Sequence, residues 1–146
     1  MLVQEILKSK TGDTAAIITI SPDHSVAEAA ALLGEKRIGA VVVSSDGQRV
    51  EGILSERDIV RQLGKSGGGC LDMTVRELMT TDIVSCAPRD NADQILTRMT
   101  EGRFRHMPVI RDGAMIGVIS IGDVVKARLS ELSMEKQSLE GLITGH

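Results

Sequence analysis

Apolar residues along this chain follow two different spacings. Val26, Ala29, Ala30 and Leu33 stand at i, i+3, i+4 and i+7, which predicts a helix with one buried face. The segment 38–43 is a nearly continuous apolar run, which is typical of a strand covered on both faces. The chain therefore alternates short strands with amphipathic helices.

The same criteria divide the rest of the chain. Strands are predicted at residues 15–20, 38–43, 50–54, 83–86, 106–110 and 115–120. Helices are predicted over residues 1–7, 55–63, 75–79 and 121–140, and two more begin at the capping boxes Ser25-x-x-Glu28 and Asn91-x-x-Gln94. Ile59, Val60 and Leu63 are expected to face inward. Residues 8–13 are expected to be a loop, and residues 64–69 a glycine-rich linker.

These elements form an internal repeat. Pro22, Arg37 and Asp46 match Pro88, Arg103 and Asp112, each 66 positions later. Beyond the following turn the offset is 65, so that Gly52-x-x-Ser55-x-x-Asp58 matches Gly117-x-x-Ser120-x-x-Asp123. The lead-in 3–7 also resembles residues 75–79. Each copy reads β-α-β-β-α, and two copies fill nearly the whole chain.

We therefore predict an α/β (α+β) fold of two tandem β-α-β-β-α repeats about a pseudo-twofold axis. The predicted parts are residues 1–66 (first repeat with its lead-in helix), 67–74 (linker), 75–129 (second repeat) and 130–146 (helix extension and tail). Val125, Leu129, Leu132, Leu139 and Leu142 form an apolar stripe on the last helix. Either a partner subunit or the lead-in helix could cover it.

Composition excludes several classes of function. The net charge of -3 provides no basic surface for nucleic acid, and Phe104 is the one aromatic residue, so stacking of single-stranded bases is excluded. No signal peptide or membrane span is predicted, which makes the cytoplasm the default location. Cys70 and Cys86 lack metal-binding or redox spacing.

No catalytic motif is present in the sequence. The GxSxG, HExxH and GxGxxG patterns are absent, so we expect no enzyme activity, no metal and no required cofactor. A weak nucleotide hydrolase would need a base, and usually a metal, that the sequence does not name.

The two Ser-x-x-Asp segments permit two interpretations. Each follows a predicted strand and opens a helix, where serine and aspartate can form a capping box and do nothing else. The same helix N-terminus can also present N–H groups to a phosphate, while the carboxylate accepts the two hydroxyls of a ribose. The residues alone leave both interpretations open.

Arg105 and His106 precede Pro108 within a predicted strand. Proline suggests an edge or a cleft, because its missing N–H costs nothing there. Arg105 could then bind a phosphate through two hydrogen bonds, and His106 could add a pH-sensitive contact. Their alternatives are a solvated charge and a satisfied neutral side chain.

The duplicated unit, with its His-Met-Pro-Val strand and its Gly-x-x-Ser-x-x-Asp ends, resembles the cystathionine-β-synthase (CBS) domain pair, or Bateman module, over residues 3–129. The resemblance is to the small stand-alone bacterial type. It implies a regulatory module that binds adenosine-containing ligands such as AMP, ADP, ATP, NAD(H) or S-adenosylmethionine in clefts between the repeats. It also implies a homodimer and a regulated protein whose identity the sequence does not give.

The resemblance assigns expected roles by position. Asp58 and Asp123 would hold ribose hydroxyls, with Ser55 and Ser120 near ribose or phosphate. Residues that would line the adenine slot are Thr19, Ile20, Ala40, Val41, Met107 and Pro108. Residues that would meet phosphates are Arg105 and His106, with Arg57 and Arg61 as weaker candidates.

The two halves differ at the strand that would face the ligand. Gly39-Ala40-Val41-Val42 stands where the second half has Arg105-His106-Met107-Pro108. One well-occupied site, or one extended ligand such as NAD, is therefore expected rather than two equal mononucleotides. The competing hypothesis is a structural or interaction scaffold in which the Ser-x-x-Asp segments only cap helices.

Overall fold

The structure is a computed structural model that describes residues 1–10 and 17–144. Its helices are α1 (Val3–Ser9), α2 (Val26–Lys36), α3 (Glu56–Ser66), a 3-10 helix (Gly67–Asp72), α4 (Val75–Leu78), α5 (Ala92–Gly102) and α6 (Ile121–Thr144). Its strands are β1 (Thr19–Ile20), β2 (Ala40–Val43), β3 (Gly52–Ser55), β4 (His106–Arg111) and β5 (Ala114–Ser120). The predicted tandem α/β architecture is confirmed. The predicted loop at 11–13 and strand start at 15–16 lie outside the described residues.

The chain forms two compact units. The central unit comprises Ile17–Ser85 and Ile110–Ile116. The terminal unit comprises, within the described parts of the chain, residues 1–10, Cys86–Val109 and residues 117–144.

The central unit is built on a three-stranded sheet in the order β1-β2-β3. β1 is parallel to β2, and β2 is antiparallel to β3 with Ala40 opposite Ser55. The crossover from β1 to β2 is helix α2, which buries Val26, Ala29 and Leu33 as its spacing predicts. These side chains join Val41 and Leu54 of the sheet in one apolar core.

Helix α2 begins as predicted at Ser25, whose hydroxyl accepts a hydrogen bond from the Glu28 N–H at 3.1 Å. The predicted second half of this capping box is wrong. The Glu28 carboxylate pairs with the imidazole of His24, one turn away, instead of turning back to the helix start.

The predicted inward face of α3 is wrong at two of its three residues. Ile59 is buried, but Val60 is 65% exposed and Leu63 is 38% exposed, because only a narrow face of the helix meets the sheet. The glycine-rich segment 64–69, which was predicted as a linker, is helical in the structure. The chain passes from α3 directly into the 3-10 helix, which buries Cys70.

The terminal unit packs α1, α5 and α6 with residues 106–109 and 117–120 of the β4–β5 hairpin, whose turn end, Ile110–Ile116, belongs to the central unit. Asp112 and Gly113 form the predicted turn, with φ of 52° and 82°. The predicted strand at 83–86 is wrong, because it is reduced to a single parallel bridge between Cys86 and Val109. Pro108, beside that bridge, has no N–H with which to extend the ladder. Asn91 occupies the N-cap position of α5, but its side chain makes no capping hydrogen bond there.

The two lead-in helices occupy equivalent places in opposite units. α1 packs in the terminal unit, where the Leu7 side chain lies against Gly117 of β5. α4 packs in the central unit, where the Met79 side chain lies against Gly52 of β3. Each lead-in therefore belongs to the compact unit that contains most of the other repeat. No helix in the described parts of the chain is long and apolar enough to span a bilayer.

Candidate functional site: two strand-to-helix junctions

Both Ser-x-x-Asp segments lie at the junction of a strand with a helix. Ser55 ends β3 and caps α3, and Ser120 ends β5 directly before α6. The antiparallel pair of strands delivers the chain to the helix start, so that the aspartate one turn later points back at the serine.

The junction in the central unit is a complete capping box. The Asp58 Oδ2 atom accepts hydrogen bonds from the Ser55 N–H at 2.9 Å and the Ser55 hydroxyl at 3.0 Å. The Asp58 N–H in turn donates to Ser55 Oγ at 3.2 Å. Arg61 approaches the other carboxylate oxygen at 3.9 Å, but its side chain is mostly exposed.

The junction in the terminal unit has the same reciprocal bonds. The Ser120 N–H donates to Asp123 Oδ2 at 2.9 Å, and the Asp123 N–H donates to Ser120 Oγ at 3.1 Å. Both aspartates therefore perform the capping role that one interpretation of the sequence predicts. Capping uses Oδ2 of Asp123, and no hydrogen bond to Oδ1 is recorded from the described residues.

A lysine completes the terminal junction. The Lys10 ammonium donates to Asp123 Oδ2 at 3.0 Å and to the carbonyl of Val118 at 2.9 Å. The side chains are 17% exposed for Lys10 and 25% exposed for Asp123, so the pair is partly shielded from water but reachable from it. Sequence analysis missed Lys10, since it lies in a segment predicted to be a polar loop.

The surroundings of Asp123 act in opposite directions on its charge. Burial raises the pKa of its carboxyl, whereas the Ser120 N–H and the Lys10 ammonium lower it. The lowering contributions prevail, and the pKa of Asp123 falls below its ordinary value of 3.8. The carboxylate is therefore ionised at neutral pH and can accept further hydrogen bonds.

Arg105 is held beside the terminal junction by its backbone. The N–H of Ile121, the first residue of α6, donates to the Arg105 carbonyl at 2.7 Å. In the central unit the N–H of Glu56 donates to the carbonyl of Gly39 in the same way, at 2.9 Å. The Arg105 side chain is exposed, and no partner for it is recorded among residues 1–10 and 17–144. His106 is half-buried and has an interaction partner.

The predicted adenine-slot residues lie mainly in the core. Ile20, Val41, Met107 and Pro108 are buried, and Ala40 is half-buried opposite Ser55. Thr19 and Ile20 line an open pocket of about 380 Å³ on the α2 side of the central unit, which includes neither Ser55 nor Asp58. Arg57 is exposed on α3.

The structure thus groups the predicted residues by unit. Ala40, Ser55, Asp58 and Arg61 meet at the central junction. Ser120 and Asp123 meet Lys10 at the terminal junction, which Arg105 joins only through its backbone carbonyl. Within the described parts of the chain, no three His, Cys, Asp or Glu side chains are placed to hold a metal ion.

Comparison with known proteins identifies the class to which this fold and these junctions belong. The sequence model of the CBS domain matches residues 13–65 and again residues 75–130. Two copies of that domain account for both junctions, so the protein is a CBS domain pair. The chain belongs to the CBS domain family.

Two similar proteins match this chain along most of their own length. The mitochondrial CBS domain-containing protein CBSX3 of Arabidopsis thaliana is 34% identical, over 98% of this chain and 72% of its own. The crystal structure of a CBS-domain containing protein from Agrobacterium tumefaciens is 42% identical, covers 88% of this chain and 99% of its own, and superposes with a TM-score of 0.82.

A more distant structure shares the fold alone. The CBS domain pair of protein MJ0100, solved in complex with 5-methylthioadenosine and S-adenosyl-L-methionine, is 23% identical, with a TM-score of 0.75. It covers 90% of this chain and 98% of its own.

Proposed function

We propose that this protein is a regulatory, non-catalytic module that binds adenosine-containing ligands. The observation that carries the proposal is the terminal junction. There an ionised aspartate, a helix N-terminus and an ammonium group meet within a few ångströms of one another. A ribose hydroxyl needs the acceptor, and a phosphate needs the donors.

Asp123 is the proposed ribose-binding group. Its Oδ2 atom accepts hydrogen bonds from Ser120 and Lys10, which fix the orientation of the whole carboxylate. The Oδ1 atom is then held in one position, where it can accept hydrogen bonds from hydroxyl groups. Asp58 is the proposed counterpart in the central unit, where Ser55 fixes Oδ2 in the same manner. An acceptor that is already oriented loses little entropy when the ligand binds.

The proposed adenine slot has aliphatic walls. The chain has no Trp or Tyr with which to stack a base. Thr19, Ile20, Ala40, Val41, Met107 and Pro108 would offer apolar surface and backbone amides instead. That the related pair MJ0100 is described in complex with two adenosine compounds supports this assignment of ligand class.

AMP, ATP and NAD are the ligands to test first. Arg105 and His106, with Lys10, would meet phosphate at the terminal junction, whereas Gly39 and Ala40 offer no such groups at the central one. We therefore propose unequal sites, filled by one strongly bound nucleotide or by one extended ligand such as NAD. Arg57 and Arg61 would make weaker phosphate contacts.

Two experiments test the proposal. The purified protein is denatured, and the released small molecules are separated and identified by mass. The empty protein is then titrated calorimetrically with AMP, ATP and NAD. We expect binding by at least one of them, with a marked loss in Asp123→Ala. The matched control is Asp72→Ala, which removes an exposed aspartate outside both junctions and should bind as the wild type does.

A scaffold without a ligand is the second candidate, and the complete capping boxes favour it. If capping is the whole role of these aspartates, then Asp58→Ala and Asp123→Ala lower the melting temperature and no nucleotide binds to the wild type. A nucleotide hydrolase would instead be recognised by chromatographic turnover of an added nucleotide.

A homodimer is the proposed assembly. Val125, Leu129, Leu132 and Leu139 are exposed along one side of α6. An apolar stripe of this kind is stabilised when a second helix covers it. α1 packs in the same unit but leaves these side chains exposed, so a second copy of the chain is the proposed cover.

A further inference from the structure

Lys10 connects two parts of the terminal unit that are far apart in the sequence. It is the C-cap residue of α1, and its ammonium reaches both the end of strand β5 and the start of α6. Its two acceptors are a backbone carbonyl, Val118, and the Asp123 carboxylate.

The central unit shows that this connection does not require a lysine. Ile53 is the counterpart of Val118, and its carbonyl accepts a hydrogen bond from the backbone N–H of Thr80 at 2.9 Å. The backbone of the second lead-in thus does there what the Lys10 side chain does in the terminal unit. The terminal junction has gained a positive charge that the fold itself does not need.

The two junctions also differ in the cation beside the aspartate. Within residues 1–10 and 17–144, the one cation paired with Asp58 is the distant and largely exposed Arg61, whereas Asp123 has a partly buried ammonium at hydrogen-bond distance.

The ammonium retains capacity for another acceptor. A lysine has three N–H donors, and two are used by Val118 and Asp123. No third acceptor is recorded among the residues that the structure describes. The start of α6 adds further positive potential. A second anion, next to the carboxylate, is the group that this arrangement favours.

We propose that Lys10 makes the terminal junction select adenosine ligands that carry a phosphate over uncharged adenosine. Lys10 then bridges the carboxylate of Asp123 and a phosphate oxygen of the ligand, while Asp123 receives the ribose. The central junction lacks this selectivity. The inference rests on the proposed adenosine-binding function and adds the chemical group by which ligands are distinguished.

The test compares AMP with adenosine, which differ by the phosphate alone. Dissociation constants are measured by calorimetry for the wild type and for Lys10→Met, which keeps an unbranched side chain of nearly the same length and removes its charge. We expect Lys10→Met to raise the dissociation constant for AMP by roughly tenfold or more, because a hydrogen bond to a charged group contributes to affinity on that scale. Adenosine binding should weaken much less than AMP binding, because Ser120 still orients the Asp123 carboxylate that receives the ribose.

Lys8→Met is the matched control. Lys8 is exposed in the last turn of α1, two residues before Lys10. Its substitution should leave the affinities for AMP and adenosine unchanged. If Lys10→Met does not fold by circular dichroism, Lys10→Gln replaces it, since an amide can still donate to the Val118 carbonyl without a charge.

Each outcome decides between the two proposals. The inference is supported if the Lys10 variants lose the preference for AMP over adenosine while Lys8→Met keeps it. An equal loss for AMP and adenosine overturns it, because Lys10 would then only hold the fold together. Equal affinity of the wild type for both ligands also overturns it and leaves the proposed function standing. Binding of neither AMP nor adenosine, ATP or NAD overturns both.

Discussion

The side chain of Leu7 lies so close to Gly117 that a Cβ atom built on Gly117 would stand 2.7 Å from Leu7 Cδ2. The equivalent contact in the central unit is tighter. A Cβ atom on Gly52 would meet Met79 Sδ at 2.5 Å and the backbone oxygen of Thr80 at 3.0 Å. Two glycines thus allow the two lead-ins to approach the sheets.

Alanine at these glycines should destabilise the protein. We expect Gly52→Ala to lower the free energy of unfolding by about 1–3 kcal/mol, since overpacking against backbone cannot be relieved by a side-chain rotation. Gly117→Ala should lower the free energy of unfolding by less, because the end of the Leu7 side chain can move away from the new methyl group. Urea unfolding followed by circular dichroism suits a chain without Trp or Tyr.

The control for the glycines is Gly34→Ala in α2, where no atom lies within 4 Å of the new Cβ. It should raise the free energy of unfolding by about 0.5–1 kcal/mol, because alanine favours a helix. Equal effects at all three positions would contradict the packing argument.

The ion pair of Asp123 should appear in a pH titration. Burial raises the pKa of Asp123, but Ser120 and Lys10 lower it more, so that it lies below 3.8. Lys10→Met removes two of the lowering interactions and should raise the pKa of Asp123. Carbon-13 NMR of the carboxyl group measures the change. The control variant Lys8→Met should not change the pH at the midpoint of the Asp123 titration.

The same group links stability to pH. A carboxyl whose pKa is lower in the folded state stabilises the protein above its unfolded pKa of about 3.9, and this contribution is lost as pH falls through the folded value. Asp123→Asn should therefore be less stable than the wild type at pH 7. The difference should shrink below about pH 4. A difference in melting temperature that stays constant down to pH 2 would contradict the assignment.

The thiol of Cys86 should be unreactive in the folded protein. Burial is the main reason that its pKa rises to about 12, and the nearby Asp90 raises it further. Thiolate is the nucleophile, so iodoacetamide at pH 8 should modify Cys86 only after the protein unfolds. Mass spectrometry of labelled peptides, with and without guanidinium, tests this, and rapid labelling of folded protein would refute it.

The exposed stripe on α6 should determine the oligomeric state. Leu129 is 63% exposed, and a charge there would oppose burial of the stripe. We expect sedimentation equilibrium to give a dimer for the wild type and a monomer for Leu129→Glu. Met134→Glu changes an equally exposed residue on the opposite side of the helix and should stay dimeric. A monomeric wild type would remove the proposed interface.

The sequence predicted the architecture well because duplication supplied each signal twice. Helix spacing identified the buried Val26, Ala29 and Leu33, and the turn at Asp112-Gly113 was recognisable from its residues. Burial of Val60 and Leu63 was predicted wrongly, because amphipathic spacing cannot show how wide a helix face the sheet will cover.

The site was harder to predict than the fold. Ser120 and Asp123 were recognisable as a local motif, since four consecutive residues create the geometry. Lys10 was not recognisable, because its partner Asp123 lies 113 positions away and the pairing depends on where α1 packs. The role of Pro108 in ending the 83–86 ladder likewise depends on which segment lies beside it.

The placement of α1 and α4 in opposite units bears on how such a protein could be divided or inherited. A cut within residues 67–74 would separate each lead-in from the strand glycine it packs against, Gly117 for Leu7 and Gly52 for Met79. Each fragment would carry a helix that fits the other fragment, so the two should recover their structure only after recombining. A single-repeat ancestor would have met the same need by exchanging its lead-in with a second copy of itself. Gene fusion would then have made that exchange permanent.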